Sequence, residues 1–584
     1  MNPENPLIIQ SDRTLLLDVH APLAEECAQA LIPFAELVSS PEHLHTYNLT
    51  PLSLWNAESA SFSAKNAVEV LEKYARYDVP QNVVVWITET AGRFGKLRLI
   101  PGFKRKEQNQ DVEYLYLVCK NPFVYKEISV NPSLKKVLFP VTVPSDYDKS
   151  YELSEDEYKF AFALLLTDRG TIKQDLITIG WPVKDEVPMT EGKFLDIQLR
   201  EKTLSGKDFI IRDYQKHSAE AIVGDRGKGT GFGTIVLPCG AGKTIVGINI
   251  MSLLKTNTLI VTTNISAVHQ WIDELLDKTN LTSDQIAEYT GENKTIKEVT
   301  VATYQILTYR PNKTGPYPHF SLFKQNNWGL IIYDEVHMLP APVFRVAAEI
   351  QSVRRVGLTA TLVREDHHEN YVFSLVGPKR YDVPWKELEK AKWIAEAKCI
   401  EVRVEMEYQN LLEYSCADKR LKHHIASCNP VKNQIVQELV QQNPEDKILI
   451  IGQYLEQLEE ISKLLDAPII TGKIANSVRD EIYGKFRKGE IRVLVVSKVA
   501  NFAIDLPDAS MAIQVSGTFG SRQEEAQRLG RILRPKERQS RFYTLISKDT
   551  VEEEFGSNRQ KFLAEQGYSY SIIRYTDKNS LCSQ

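Results

Sequence analysis

The 584 residues allow three or four domains. An apolar fraction of 43% with 25% charged residues is that of a globular chain and excludes a disordered or collagen-like one. The formal net charge of -5 excludes a globally basic binder of nucleic acid, so any strand must be held by a local stripe or channel. Residues 1–130 mix strand-like and helical segments and read as an accessory α+β domain. Arg13 to His20 looks like a strand. Ala21 to Val38 is helical in period, with Leu23, Cys27, Leu31 and Ala35 on one face and Pro33 as a kink or break. Val83 to Ile87 and Tyr114 to Val118 are apolar runs that periodicity leaves open between buried strand and helix core. Residues 131–208, with a strand-like run from Asp175 to Ile179, read as a small second domain or a structured linker.

From Thr234 an α/β alternation sets in. Strands are expected at Thr234–Val236, Thr258–Thr262, Val299–Thr303, Leu330–Asp334 and Val356–Thr359, with helices between them. Five glycines between Gly224 and Gly233 form a connector ahead of the first of these strands. A second set follows at Ile448–Ile451, Ile469–Ile470, Val493–Val496, Met511–Val515 and Phe542–Ile546. Two parallel sheets in tandem, each covered by helices, place a cleft between two lobes.

The first lobe carries Leu237-Pro238-Cys239-Gly240-Ala241-Gly242-Lys243-Thr244 between its first strand and first helix. Gly240, Ala241 and Gly242 let backbone N–H groups turn toward a phosphate at a helix N-terminus. Lys243 would reach the β- and γ-phosphates of ATP, and the Thr244 hydroxyl would sit on Mg²⁺. Leu330 to Tyr333 deliver Asp334 and Glu335 at the end of a strand. Asp334 would hold Mg²⁺, and Glu335 would orient and deprotonate the attacking water. In the second lobe Gln527, Arg531 and Arg534 fall on one helical face, where the arginines would neutralise phosphate charge across the cleft.

These motifs resemble those of superfamily 2 helicases, and within them the XPB-like group. Arg212-Asp213-Tyr214-Gln215 resembles the segment whose Gln reads adenine, so Arg212 and Gln215 are implied nucleotide contacts. Asp334-Glu335-Val336-His337 has the Asp-Glu-x-His form, and Thr359-Ala360-Thr361 is similar to the motif that couples nucleotide state to lobe movement, which implies coupling roles for His337, Thr359 and Thr361. Ser497-Lys498-Val499 with Asp505-Leu506-Pro507 resembles a further motif and makes Asp505 an implied nucleotide contact. Arg364-Glu365-Asp366 and the tail from Arg559 to Tyr570 narrow the likeness to the XPB-like group, where the Arg-Glu-Asp triplet is implicated in strand separation. The likeness is fainter in residues 1–130, where it is carried by 43–50 and by Gly95 to Leu99, and 131–208 would correspond by order to a damage-recognition-like domain.

The resemblance implies two RecA-like lobes, 209–390 and 436–584, joined by 391–435 with a thumb-like insertion near 405–430 whose basic run is Lys419-Arg420-Leu421-Lys422-His423-His424. It implies ATP-driven 3′→5′ movement on DNA with duplex opening, and a compact prokaryotic-type or viral member. A DNA translocase with little unwinding, or a nucleotide-gated scaffold that recruits a nuclease or repair partner, are the alternatives. Contacts to the strand are expected from loop residues Thr263, Gln270, Trp271, Thr303 and Lys498, with hydroxyls and amides on phosphate and the aromatic on a base. The seven cysteines form no C-x-x-C pair, which fits a reduced compartment: the cytoplasm, at the nucleoid, for a prokaryotic member, and the nucleus or a viral factory otherwise. No run of about 18 apolar residues predicts a membrane span.

Overall fold

The computed structural model describes residues 2–575 except 32, 40–43, 108–109, 189–190, 225–230, 239, 313–316, 340–352, 361–371, 374, 384–387, 390, 394–395, 498–508, 518–538 and 558–569. It contains four sheets. The first is a four-stranded antiparallel sheet in the order Leu7–Ile9, Thr14–Asp18, Leu44–Asn48, Glu36–Ser39. Four helices pack with it around Leu54, Leu71, Val83 and Ile87. The helix expected over Ala21 to Val38 covers only Ala24–Leu31, because the chain breaks at Pro33 and enters the strand Glu36–Ser39. The run at Val83 is a helix, Gln81–Ala91, whose buried side chains Val83, Ile87, Thr90 and Ala91 recur at the helical period.

The second sheet runs Phe139–Val141, Ala161–Leu165, Gln110–Cys119, Leu97–Glu107, Val183–Asp185. It crosses the expected boundary at 130, since Leu97 pairs with Cys119 on one side and with Val183 on the other. The run expected as a strand from Asp175 is the end of a helix, Arg169–Thr178. Its buried residues Arg169, Ile172, Lys173, Leu176 and Ile177 repeat every three to four positions, so the apolar end was read without its polar buried partners. Residues 191–199 do not join this sheet. They lie along the first lobe, where Lys193 N–H donates to Asn257 Oδ1 at 2.8 Å and Leu195 and Ile197 enter the lobe's core.

A buried charge cluster ties the second sheet to the first lobe. Asp185 accepts from Arg169 at 2.6 and 2.9 Å and from Lys173 Nζ at 2.9 Å. Arg355, on the lobe's strand Arg354–Thr359, feels the charge of both Arg169 and Asp185. Burial pushes Arg355 down to about 10 and Lys173 down to about 8, yet both remain cations at neutral pH. Asp185 thus pairs directly with Arg169 and Lys173, and its charge also acts on Arg355.

The two large sheets are parallel throughout. In the first lobe the order is Ile286–Tyr289, Val299–Thr303, Thr258–Thr262, Leu330–Asp334, Arg354–Thr359, Gly233–Val236, Lys379–Asp382. Leu330, Ile331 and Ile332 are fully buried, as expected of a central strand covered on both faces. In the second lobe the order is Ile469–Ile470, Val493–Ser497, Ile448–Gly452, Met511–Gln514, Ser540–Ser547, Ala397–Val404, Tyr570–Tyr575. The ten predicted strands are all present. Four more were not expected, among them Ala397–Val404, which lay in the supposed linker, and Tyr570–Tyr575, which closes the sheet by pairing with it.

The lobes touch through two helices, Ile265–Lys278 and Asn476–Lys488. Ile272 and Leu276 share an apolar cluster with Tyr483 and Phe486. At its rim His269 Nδ1 lies 2.8 Å from Asp480 Oδ2, and His269 Nε2 lies 3.4 Å from Glu288. Burial opposes charge on His269, but the carboxylates of Asp480 and Glu288 outweigh it, and the net shift is upward. Asp273, on the same helix, and Arg487, on the facing one, also lie in this field. The imidazolium's contribution is then fully present below about pH 6.5, the ordinary value, and is lost as pH rises through the raised one. Small-angle scattering across that window should show the lobes separating as pH rises. His269→Gln should flatten the pH dependence, and a profile unchanged by it would refute the latch.

Candidate nucleotide site and strand cleft

Parallel strands all point their C-terminal ends to one edge, and ligands of such sheets bind outside that edge. The strand Gly233–Val236 ends there and feeds the phosphate loop. The strand Leu330–Asp334 ends there two positions across and delivers its carboxylates. Only the strand Arg354–Thr359 lies between them. The sheet thus brings together residues from distant segments, and Lys243 Nζ sits 3.5 Å from Glu335 Oε1.

The loop is shaped for an anion. Gly240 and Gly242 have φ of 81° and 79°, a left-handed conformation that glycine adopts without cost. A Cβ on Gly242 would stand 2.6 Å from Gln215 Nε2, so the close approach also demands glycine. Gly242 is the N-cap of the helix Lys243–Leu254 and, lacking a side chain, makes no side-chain cap bond to it. The helix's first N–H groups and the partial positive charge of the helix end face the loop's mouth. Gln215 holds the loop from behind. Its Nε2 donates to Ala241 O at 3.0 Å, and its Oε1 accepts from Arg212 N–H at 3.0 Å. Tyr214 OH donates to the same carbonyl at 2.6 Å. The expected adenine reader is thus a buried brace with both ends of its amide engaged. Arg212, expected at the nucleotide, stacks its guanidinium 4.8 Å from the Trp393 ring and donates to Trp393 O.

The carboxylates are held as tightly. Asp334 Oδ1 accepts from Glu335 N–H at 3.0 Å. Asp334 Oδ2 accepts from Trp271 Nε1 at 2.9 Å and from Thr262 Oγ1 at 3.4 Å. Tyr304 OH donates to the Asp334 carbonyl at 2.9 Å. Burial pushes Asp334 up to about 6 and the charge of Glu335 adds to this, while the Trp271 bond and Lys243 pull the other way. Glu335 has φ of 48°, a left-handed conformation that is costly for a residue with a Cβ and turns the chain sharply after Asp334. His337 Nδ1 lies 2.7 Å from Thr359 Oγ1 and 3.5 Å from Glu335 Oε2. Two of the three residues expected to couple nucleotide state to movement are thus in contact with each other, and His337 also lies beside the candidate base.

Three expected contacts need correction or closer placement. Trp271 was expected to stack on a base, but its side chain is 1% exposed and serves Asp334. Its indole fits because Gly247 on the neighbouring helix has no Cβ; one there would stand 2.6 Å from the ring. Nothing in the spacing announces this pair, which is 63 positions apart. Thr303 was expected on phosphate, but it is buried and caps a short helix by accepting from Ile306 N–H at 3.2 Å. The basic run of the insertion is partly consumed inside the protein. His423 is fully buried with Nδ1 2.7 Å from Tyr454 OH, and Lys422 Nζ lies 5.4 Å from the Tyr414 ring. Thr263 and Gln270 are half-buried, the first just beyond the strand Thr258–Thr262 and the second on the helix Ile265–Lys278. Thr361, Arg364, Glu365, Asp366, Lys498, Asp505, Gln527, Arg531 and Arg534 lie outside the described residues.

Comparison with known proteins covers the whole chain. Residues 388–582 match the family model described as ERCC3/RAD25/XPB C-terminal helicase, and residues 208–364 match that described as type III restriction enzyme, res subunit. A Kineococcus radiotolerans protein named DNA 3′-5′ helicase XPB is 46% identical over 577 residues, covering 98% of this chain and 97% of that one. Its namesake in Mycobacterium tuberculosis is 45% identical, with 98% of each chain covered. An Encephalitozoon cuniculi protein named general transcription and DNA repair factor IIH helicase/translocase subunit XPB is 32% identical, covering 97% of this chain and 83% of that one.

Proposed function

Because this chain belongs to the XPB family, we propose that it is an ATP-dependent 3′-5′ DNA helicase that couples ATP hydrolysis to movement along DNA and to duplex opening, in repair or transcription-linked opening. The observation that carries the reading is the convergence of Lys243, Asp334 and Glu335 at one sheet edge, beside a glycine loop that leads into a helix N-terminus at Gly242. That donor set fits a nucleotide phosphate.

In this reading Lys243 binds the terminal phosphates, and Asp334 with Thr244 holds Mg²⁺, which would neutralise phosphate charge. The Asp334 carboxylate, already fixed by Trp271, suits a hard cation with oxygen ligands. Glu335 orients the attacking water and takes its proton, with Lys243 and His337 fixing the carboxylate's position. Arg531 and Arg534, with Gln527 beside them, would close on the phosphate from the second lobe. Such arginines are worth roughly 10³–10⁵ in rate in related chemistry. Arg364, Glu365 and Asp366 would part the strands, and Thr263, Gln270 and Lys498 would grip phosphates. In a repair setting the opened strand passes to a nuclease or repair protein.

The reading is tested by ATP hydrolysis without nucleic acid, with single-stranded DNA, with a forked duplex and with RNA, alongside strand release from a 3′-tailed fork. DNA-stimulated turnover with release is the expected result. Turnover without release would replace the helicase by a translocase. The metal assignment has its own test in Trp271→Phe, which keeps a ring but deletes the donor to Asp334. A bond to a charged group is worth about 1.5–3 kcal/mol. The Mg²⁺ concentration for half-maximal turnover should therefore rise about tenfold or more. An unchanged Mg²⁺ curve would reduce Trp271 to a packing residue.

A further inference from the structure

The second lobe carries a side-chain cluster that lies outside the nucleotide site described above. Between the strand Ala397–Val404 and the core of the lobe, the chain forms two helices, Tyr408–Cys416 and Lys419–Ser427. His424 lies in the last turn of the second helix, and Cys428 follows four positions later, one turn on and on the same face. Glu456, near the start of the helix Leu455–Leu465, faces both. Cys428 Sγ lies 3.6 Å from Glu456 Oε1 and 3.9 Å from His424 Nε2, and His424 Nε2 is in ion-pair contact with Glu456 Oε1.

We propose that His424, Cys428 and Glu456 form a zinc site that staples the helical pair 408–427 to the body of the second lobe. The donor set is one nitrogen, one sulfur and one oxygen. Thiolate and imidazole favour Zn²⁺, whereas Mg²⁺ and Ca²⁺ take oxygen ligands alone. The spacing also agrees. With Zn–N near 2.0 Å and Zn–S near 2.3 Å, a tetrahedral site has donor separations of about 3.5 Å. The two sulfur distances are already close to that. The His424–Glu456 pair must open slightly, and Glu456 is exposed and free to turn.

The surroundings support a ligand there. The three residues' neighbourhood opens on a cavity of 610 Å³ lined by His424 and Cys428 together with Glu413 and Cys416. It leaves room for water as the fourth ligand. Tyr454 holds the imidazole in place: its ring meets His424 edge-on at 4.7 Å, and its hydroxyl is anchored 2.7 Å from His423 Nδ1. On binding, the Cys428 thiol loses its proton to solvent and the thiolate becomes the ligand.

The experiment uses the full chain, stripped of metal and titrated with Co²⁺ as a spectroscopic probe, then back-titrated with Zn²⁺. One equivalent should produce a thiolate-to-cobalt charge-transfer band with the visible bands of a tetrahedral ion, and Zn²⁺ should abolish both. Cys428→Ser should lose the charge-transfer band. His424→Ala and Glu456→Gln should weaken binding at least tenfold, and Cys416→Ser should change nothing. Circular dichroism checks that each variant is folded, and one equivalent of Zn²⁺ should raise the unfolding temperature of the unaltered chain but not of Cys428→Ser. A band that survives Cys428→Ser, or its absence in the unaltered protein, would overturn the proposal and leave a plain histidine–glutamate ion pair.

Discussion

Glu335→Gln is expected to reduce ATP turnover by roughly 10²–10⁴-fold while leaving nucleotide binding and fold intact. The substitution keeps the shape of the side chain and removes the charge that accepts the proton. The Lys243 ammonium, 3.5 Å away, loses a charged partner but keeps its place at the loop. Lys243→Ala differs in kind, because it removes the cation that meets the phosphates, so nucleotide binding and turnover should fall together. The pair is read by measuring nucleotide affinity and turnover on the same preparations. Glu335→Gln turning over within about threefold of the unaltered protein would remove Glu335 from the role of base. Such a result would leave the 48° φ at this residue without a functional reason.

Asp185→Asn is expected to have the largest effect on stability. Asp185 is almost fully buried, and its two oxygens take three hydrogen bonds from Arg169 and Lys173. Removing one partner of a buried charge pair costs about 3–5 kcal/mol, because the remaining charge stays buried without compensation. Here the remaining charges are Arg169, Lys173 and the nearby Arg355, at the junction of the second accessory sheet with the first lobe. The first thermal transition should fall by about 10 °C, with limited proteolysis showing the accessory sheet released from the lobe. Lys159→Ala serves as contrast. Its ion pair with Glu155 is largely exposed, and the change should be under about 0.5 kcal/mol. The cluster also has a pH signature. Despite burial, Arg169 and Lys173 hold the Asp185 carboxyl well below its usual range. Its contribution is therefore complete above the ordinary carboxylate value near 3.9 and is lost as pH falls through the lower folded value. A transition in Asp185→Asn matching the unaltered one at neutral pH would show the cluster to be dispensable.

The nucleotide half of the site was legible because its parts are contiguous. A glycine loop between a strand and a helix, and a buried strand that ends in two carboxylates, each carry their meaning within eight residues. What surrounds them was not legible. Trp271 reads as exposed aromatic or core with equal ease, and its bond to Asp334 exists because parallel strands bring positions 63 apart to one edge. Gln215, expected at adenine, also braces the loop, with its amide bonded to Ala241 and Arg212, a role its sequence position did not announce. Gly247, which makes room for the indole, gave no signal at all.

The accessory region shows the same division. Local period decided the helix Gln81–Ala91 only once burial was known, because five consecutive branched and aromatic residues, Val83 to Ile87, satisfy a strand equally well. The helix Arg169–Thr178 was misread because its buried face includes Arg169 and Lys173, charged residues that a pattern of apolar positions assigns to solvent. The boundary at 130 failed because Val183–Asp185 adds to the sheet beside Leu97–Leu99, some 86 positions earlier.

By itself the sequence determined that this chain has two α/β lobes, which of them holds the phosphate loop, and which strand ends in the paired carboxylates, since short-range spacing and strand composition suffice for each. Only the tertiary structure decided that Trp271 and Thr303 serve the protein rather than a strand, that His337 and Thr359 meet, that Asp185 is the keystone between accessory sheet and lobe, and that His424, Cys428 and Glu456 converge. Each of these depends on contacts between segments far apart in the chain. Such contacts are made by sheet order and helix packing, which local preference does not encode.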